Sequence, residues 1–157
     1  MIRPALVVCE PVGRWAGALR QALGGRPPRL VETQRIADLW QEVTSAPASV
    51  VALAWSSARR SELAEVADRL GRWFPLARLV VLLERQDRAE AALVRELGAV
   101  MVVSSTRQAA DVVRLARRHT GPEPAGWYWP AMDQLVERMW EALPWNLDQT
   151  LERSDRA

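Results

Sequence analysis

Lysine is absent from this 157-residue chain; all 21 of its cationic side chains are arginine. Codon bias accounts for such a replacement because it acts at every position at once, whereas selection at an interface touches few. The formal net charge is only +2, so no strong chain-wide pull toward nucleic acid or an anionic membrane follows. Cysteine and histidine occur once each. Cys9 cannot form an internal disulfide and, at the end of an apolar run, reads as a small buried residue in a reducing compartment. His119 follows Arg117-Arg118 at a helix end, where it complements the helix dipole or faces solvent. A lone histidine cannot supply the ligand set of a metal or cobalamin centre. No serine or cysteine has a histidine partner evident in the sequence, so nucleophilic hydrolysis lacks a base. Long hydrophobic runs are missing too. The first has five apolar residues before Glu10 and Pro11, too short for a secretory signal or a membrane span, and the expectation is a cytoplasmic protein without a membrane partner.

What is present is the composition of a globule with a core, 49% apolar and 25% charged, at a length that fits one domain with an appendage. Short apolar runs at residues 5–9, 30–31, 50–54, 79–83 and 100–103 alternate with helix-period segments. Unbroken apolar runs mark strands buried on both faces. Between them, Trp15, Leu19, Ala22 and Leu23 recur at helical spacing, and Gly24-Gly25 stops that helix. Ile36, Leu39, Trp40 and Val43 form a second stripe, and Leu63, Val66, Ala67, Leu70 and Phe74 a third, ended by Pro75. A fourth helix over 89–97 starts at the capping pattern Asp87/Glu90 and ends at Gly98. A fifth carries Ala109, Val112, Val113 and Ala116, with Thr106 as its cap.

Strand and helix alternating five times imply parallel strands with right-handed crossovers and helices on both faces. The fold class is therefore α/β, a flavodoxin-like three-layer sandwich with strand order 2-1-3-4-5, plus a C-terminal helix. Residues 1–120 form the α/β domain and 121–130, rich in proline and tryptophan, a linker. Residues 131–157 form an amphipathic helix, with Met132, Leu135, Val136, Met139, Trp140 and Leu143 on one face, and a polar tail.

Residues 4–119 resemble a response-regulator receiver domain. Ala5-Leu6-Val7-Val8 followed by Cys9-Glu10 is similar to the first strand, which in that family ends in two acidic residues. Glu96-Leu97-Gly98-Ala99 followed by residues 100–105 is similar to the passage from the last-but-one helix into the fifth strand. The resemblance implies a carboxylate nucleophile, a divalent cation held mostly by carboxylates, a lysine that neutralises the phosphoryl oxygens and a hydroxyl that reads the outcome. Here the acidic pair is Cys9-Glu10. The nucleophile position falls on Leu53, or on Trp55 if the register slips by two, and no acid lies between Glu42 and Glu62. The hydroxyl position holds Leu83 and the lysine position Ser105, with Thr106 in place of the usual proline. The expectation is a degenerate receiver that is not phosphorylated on aspartate.

Other uses of the fold meet similar obstacles. A flavin or dinucleotide site needs glycines or hydroxyls in the first βα turn, and residues 9–15 read Cys-Glu-Pro-Val-Gly-Arg-Trp. No glycine-rich phosphate loop ending in lysine occurs. No cofactor is expected.

Three features compete with plain structural roles. Trp127, Trp129, Trp140 and Trp145 crowd into nineteen residues; they either fold back over the α/β domain or, with Met139, dock into a partner or a second copy. Arg107, Arg114 and Arg118, with Arg117 beside them, share a face of the fifth helix, either solvated or turned to an acidic partner. Nucleic acid is the weaker option because no recognised DNA-binding motif is present. Ser56, Ser57, Ser104, Ser105 and Thr106 fall after strand ends on one sheet edge; they cap helices or, with Glu10 and Arg85, line a pocket for a small polar ligand. The expected function is a non-catalytic, receiver-like regulatory or protein-interaction module, possible homodimerisation included; the alternative is a small-ligand-sensing α/β domain.

Overall fold

The computed structural model describes residues 3–56 and 60–121 of the chain. Five parallel strands, β1 (Ala5–Cys9), β2 (Arg29–Thr33), β3 (Val50–Trp55), β4 (Arg78–Leu83) and β5 (Met101–Val103), form one sheet in the order β2-β1-β3-β4-β5. The helices between and after them are α1 (Arg14–Leu23), α2 (Ile36–Ser45), α3 (Arg60–Trp73), α4 (Ala91–Glu96) and α5 (Ala109–Thr120). This is the expected flavodoxin-like three-layer sandwich. The expected C-terminal helix, the linker and the tail lie outside the described residues.

Alternate side chains of each strand point to opposite sheet faces, so an uninterrupted apolar strand supplies both cores. Val7, Cys9, Val51, Leu53, Trp55, Val81 and Leu83 pack against Leu39, Val43, Leu63, Val66, Leu70 and Val94 on one side. Leu6, Val8, Val50, Ala52, Val80 and Leu82 pack against Trp15, Leu19, Val112, Val113 and Ala116 on the other. Helices α2, α3 and α4 therefore cover one face, and α1 and α5 the other. The central pairing sets Cys9 level with Leu53 and Trp55 level with Leu83.

The strand ends differ from the sequence expectation. β2, expected only at residues 30–31, runs from Arg29 to Thr33, because an edge strand beside β1 tolerates polar residues that hydrophobicity alone passes over. The expected helix over 89–97 is instead a 3-10 segment, Arg85–Glu90, followed by the short α4. Glu90, directly before α4, makes no side-chain capping bond to that helix. Gly98 does end this passage in a left-handed conformation, φ 99°, which favours glycine because it lacks a Cβ. No helix of the described residues is long and apolar enough to cross a membrane.

Leu82 is fully buried between the sheet and the α1/α5 layer. Leu82→Ala is expected to lower the unfolding free energy by about 2–5 kcal/mol, measured by urea denaturation.

Candidate functional site

In a doubly wound sheet, ligands and chemistry belong at the carboxyl ends of the strands. Here those ends present Cys9 and Glu10 from β1, residues 53–55 from β3, Leu83 from β4 and Ser104-Ser105 after β5. Cys9, Leu53, Trp55 and Leu83 are all buried in one apolar layer. The positions that the receiver resemblance assigns to chemistry are thus occupied largely by core. Trp55, 3% exposed, is part of this layer.

Glu10 is the exception, and its surroundings explain it. The residue is 5% exposed. The Glu10 N–H donates to the Thr33 carbonyl at 3.0 Å, while the Thr33 hydroxyl donates to the Val8 carbonyl at 3.2 Å. These two bonds tie the end of β1 to the end of β2 and fix where Glu10 leaves the sheet. Its carboxylate then accepts from the Trp15 N–H at 3.0 Å and from the Ala16 N–H. The residue that precedes α1, Gly13, has φ 79° and no side chain to cap the helix. Glu10 does that work from three positions further back. A carboxylate on the first-turn amides satisfies two otherwise unpaired donors and complements the positive end of the helix dipole.

Two cavities adjoin this corner. The larger, about 630 Å³, wraps the edge of β2 between α1 and α2, and includes Glu10, Thr33, Arg35, Asp38 and Glu42. The smaller, about 260 Å³, is lined by residues that include Cys9, Glu10, Arg35, Leu53 and Glu62. Arg35 borders both. Its Nε and one terminal nitrogen reach the two carboxylate oxygens of Asp38 at 3.0 and 2.9 Å. That hydrogen-bonded fork holds the Asp38 carboxyl below its ordinary pKa, and Asp38 in turn raises that of Arg35. An Arg35–Asp38 pair at i, i+3 was open to sequence reading as a helix-start charge pair. Its position at a cavity mouth was not, because that depends on how β2 pairs with β1.

Ser104 and Ser105, read as helix caps or alternatively as pocket lining, line neither of these cavities. Ser105 accepts from the Arg107 N–H at 3.3 Å, and so caps the turn that leads into α5. The cap is Ser105, one residue before the expected Thr106. The Ser104 N–H donates to the Gln108 side chain at 3.0 Å. Ser57 lies outside the described residues, as does the side chain of Arg85. Among the described residues, no three His, Cys, Asp or Glu side chains are grouped as a metal site would require.

The arginine face is partly assembled. Arg114 and Arg118 are exposed one turn apart on α5. Arg107 is exposed in the 3-10 turn Thr106–Gln108 ahead of that helix, since tighter winding there breaks the seven-residue spacing. Arg114 pairs with Asp111 at 3.3 Å. Arg117 turns away from the group and donates to the Leu23 and Pro27 carbonyls at 3.0 and 3.1 Å, which fastens α5 to the end of α1. Trp127, Trp129, Met139, Trp140 and Trp145 lie outside the described residues.

Glu10→Ala removes the carboxylate and leaves two first-turn amides unpaired; a loss of about 1–3 kcal/mol of stability is expected, by denaturant titration. Because the Asp38 pKa is depressed in the fold, the stabilising pair is present above the unfolded-state pKa and is lost as pH falls through the folded one. Arg35→Ala should raise the Asp38 titration toward the ordinary aspartate range, read from its side-chain carboxyl carbon by NMR.

No protein-family model and no curated protein sequence matches the chain. Solved structures do match it in shape. A CheY-like protein (tadZ) of Pseudomonas aeruginosa superposes with a TM-score of 0.61 at 14% identity, over 73% of this chain and 98% of that one. A Burkholderia thailandensis protein assigned to pilus assembly (cpaE) gives 0.57 at 19% identity, over 74% and 99%. The RcsB response regulator of Salmonella typhimurium gives 0.57 at 16% identity, over 95% and 84%. At such identities the likeness is one of fold. The described residues form a receiver-like domain, with the CheY-like strand order and helix layers.

Proposed function

We propose that this chain is a regulatory, non-catalytic protein-interaction module that uses the receiver fold without phosphorylation on aspartate. The observation that carries the reading is the state of the carboxyl edge. Cys9 and Leu53 face each other in register within the apolar core, and the neighbouring carboxylate, Glu10, is bonded to the amides of α1. A phosphoacceptor centre needs a carboxylate nucleophile and oxygen ligands for a divalent cation. Leucine offers neither, and withdrawing Glu10 from α1 would leave two donors unpaired.

A domain without that chemistry acts through its surfaces. The exposed Arg107, Arg114 and Arg118 suit an acidic partner protein. The C-terminal residues Trp127, Trp129, Met139, Trp140 and Trp145 are the types that anchor interfaces; in this proposal they dock on a partner or a second copy in the cytoplasm. The same fold in a pilus assembly protein and in a response regulator is consistent with a regulatory role and selects no particular partner.

The test is incubation of the full chain with acetyl phosphate and magnesium, followed by intact-mass measurement and by fluorescence titration with beryllofluoride. The expected result is no phosphoryl adduct and no saturable response. A stoichiometric, hydroxylamine-labile adduct would overturn the proposal.

A further inference from the structure

The opposite edge of the sheet carries a surface that the receiver chemistry does not use. Helices run antiparallel to the strands, so the connections from helix to strand gather at the amino ends of the strands. There Trp73, the last residue of α3, is 73% exposed. Leu76, in the turn to β4, is 60% exposed, and Val100, directly before β5, is 50% exposed. β4 and β5 are neighbours, and the Val100 N–H donates to the Leu79 carbonyl at 2.9 Å, so the two connections adjoin.

This exposure is built into a firm turn. The Phe74 N–H donates to the Leu70 carbonyl at 2.9 Å and the Ala77 N–H to the Phe74 carbonyl at 2.8 Å. Phe74 stacks on Trp40, with ring centroids 6.1 Å apart. The α3 stripe of Leu63, Val66, Leu70 and Phe74 faces the core, and Trp73, about 100° round from Phe74 by helical spacing, does not. An exposed tryptophan on an ordered turn is a preformed anchor.

Cations frame it. Arg69, one turn before Trp73, lies over the Trp40 ring at 4.3 Å. Arg78 donates to the Pro75 and Ala77 carbonyls at 3.1 and 3.2 Å, on the turn that displays Leu76. Among the described residues neither pairs with a carboxylate. Arg72 is bonded to Asp68 at 2.8 Å. The local field is therefore positive, as it is for residues 1–121 as a whole, which hold eighteen arginines against twelve carboxylates.

We infer that the amino edge formed by Trp73, Leu76 and Val100, framed by Arg69 and Arg78, is a docking surface for an acidic protein segment that carries apolar anchors. Charge complementarity selects the occupant: apolar side chains bury against Trp73 and Leu76, and carboxylates meet the two guanidinium groups. Three apolar side chains give little area for insertion into a bilayer. Two or three cations are too few for tracking a phosphate backbone, where each contact adds only a salt-dependent increment. The inference shares with the proposed function only the premise of a protein partner.

The test uses the full chain and a fluorescein-labelled amphipathic helical peptide of Glu, Ala and Leu, beside its counterpart with Lys for Glu. Saturable binding of the Glu peptide alone is expected, weakened by salt. Trp73→Ser and Arg78→Glu, each checked for folding by circular dichroism, should weaken it at least about tenfold, as loss of an interface anchor does; Leu76→Ser serves if either variant unfolds. Failure of the Glu peptide to bind, equal binding of both peptides, or unchanged affinity in the variants would overturn the inference. So would concentration-dependent dimerisation abolished by Trp73→Ser, which would assign the surface to a second copy, or Trp73-dependent binding to phosphatidylglycerol vesicles, which would assign it to a membrane. Acetyl phosphate labelling, by contrast, would defeat the phosphorylation-independent reading and leave this surface standing.

Discussion

Burial of both faces of a parallel sheet is the constraint from which the remaining structure follows. A strand covered on both sides must be apolar at every position, and its alternate side chains must satisfy two different helix layers. Val50–Trp55 meets both demands: Val51, Leu53 and Trp55 pack toward α2, α3 and α4, while Val50 and Ala52 pack toward α1 and α5. The same demand extends to the carboxyl end of the strand. A polar group there would interrupt the layer that joins Cys9, Leu53, Trp55 and Leu83. Continuity of the core thus runs through the place where a receiver fold keeps its reactive groups.

The fate of Glu10 follows from this. Its main chain is held by Thr33, and its carboxylate closes the amino end of α1 in place of a capping side chain at Gly13. A carboxylate engaged in this way is a structural ligand for the start of α1. The fold needs the start of α1 fixed, and Glu10 fixes it.

Outside the core, the exposed surface carries side chains whose composition the core does not dictate. The arginines around α5 and the tryptophan at the end of α3 belong to this class. Their common property is exposure on ordered elements, which lowers the entropy cost of using them in an interface. Some arginines are already employed within the fold: Arg117 joins α5 to α1, and Arg35 is committed to Asp38. A sequence count of cations therefore overstates the free positive surface.

The apolar runs and helical stripes determined the layer architecture, the strand order and most of both cores, because period and burial are local consequences of the side-chain sequence. The positions that the receiver resemblance assigned to reactive groups, Cys9, Leu53 or Trp55, and Leu83, came from that resemblance and not from the pattern; they lie in β1, β3 and β4. Only the tertiary structure decided that β2 continues through polar Glu32 and Thr33 and that Ser105 rather than Thr106 caps the turn before α5. Those outcomes depend on pairing register and on the approach of segments distant in the chain. Trp73 and Phe74, adjacent aromatics, were already separated by helical period: Phe74 continues the α3 stripe and is partly buried, while Trp73 is exposed. How far each is covered was decided by the packing of α3 and Trp40 around them, which depends on segments distant in the chain.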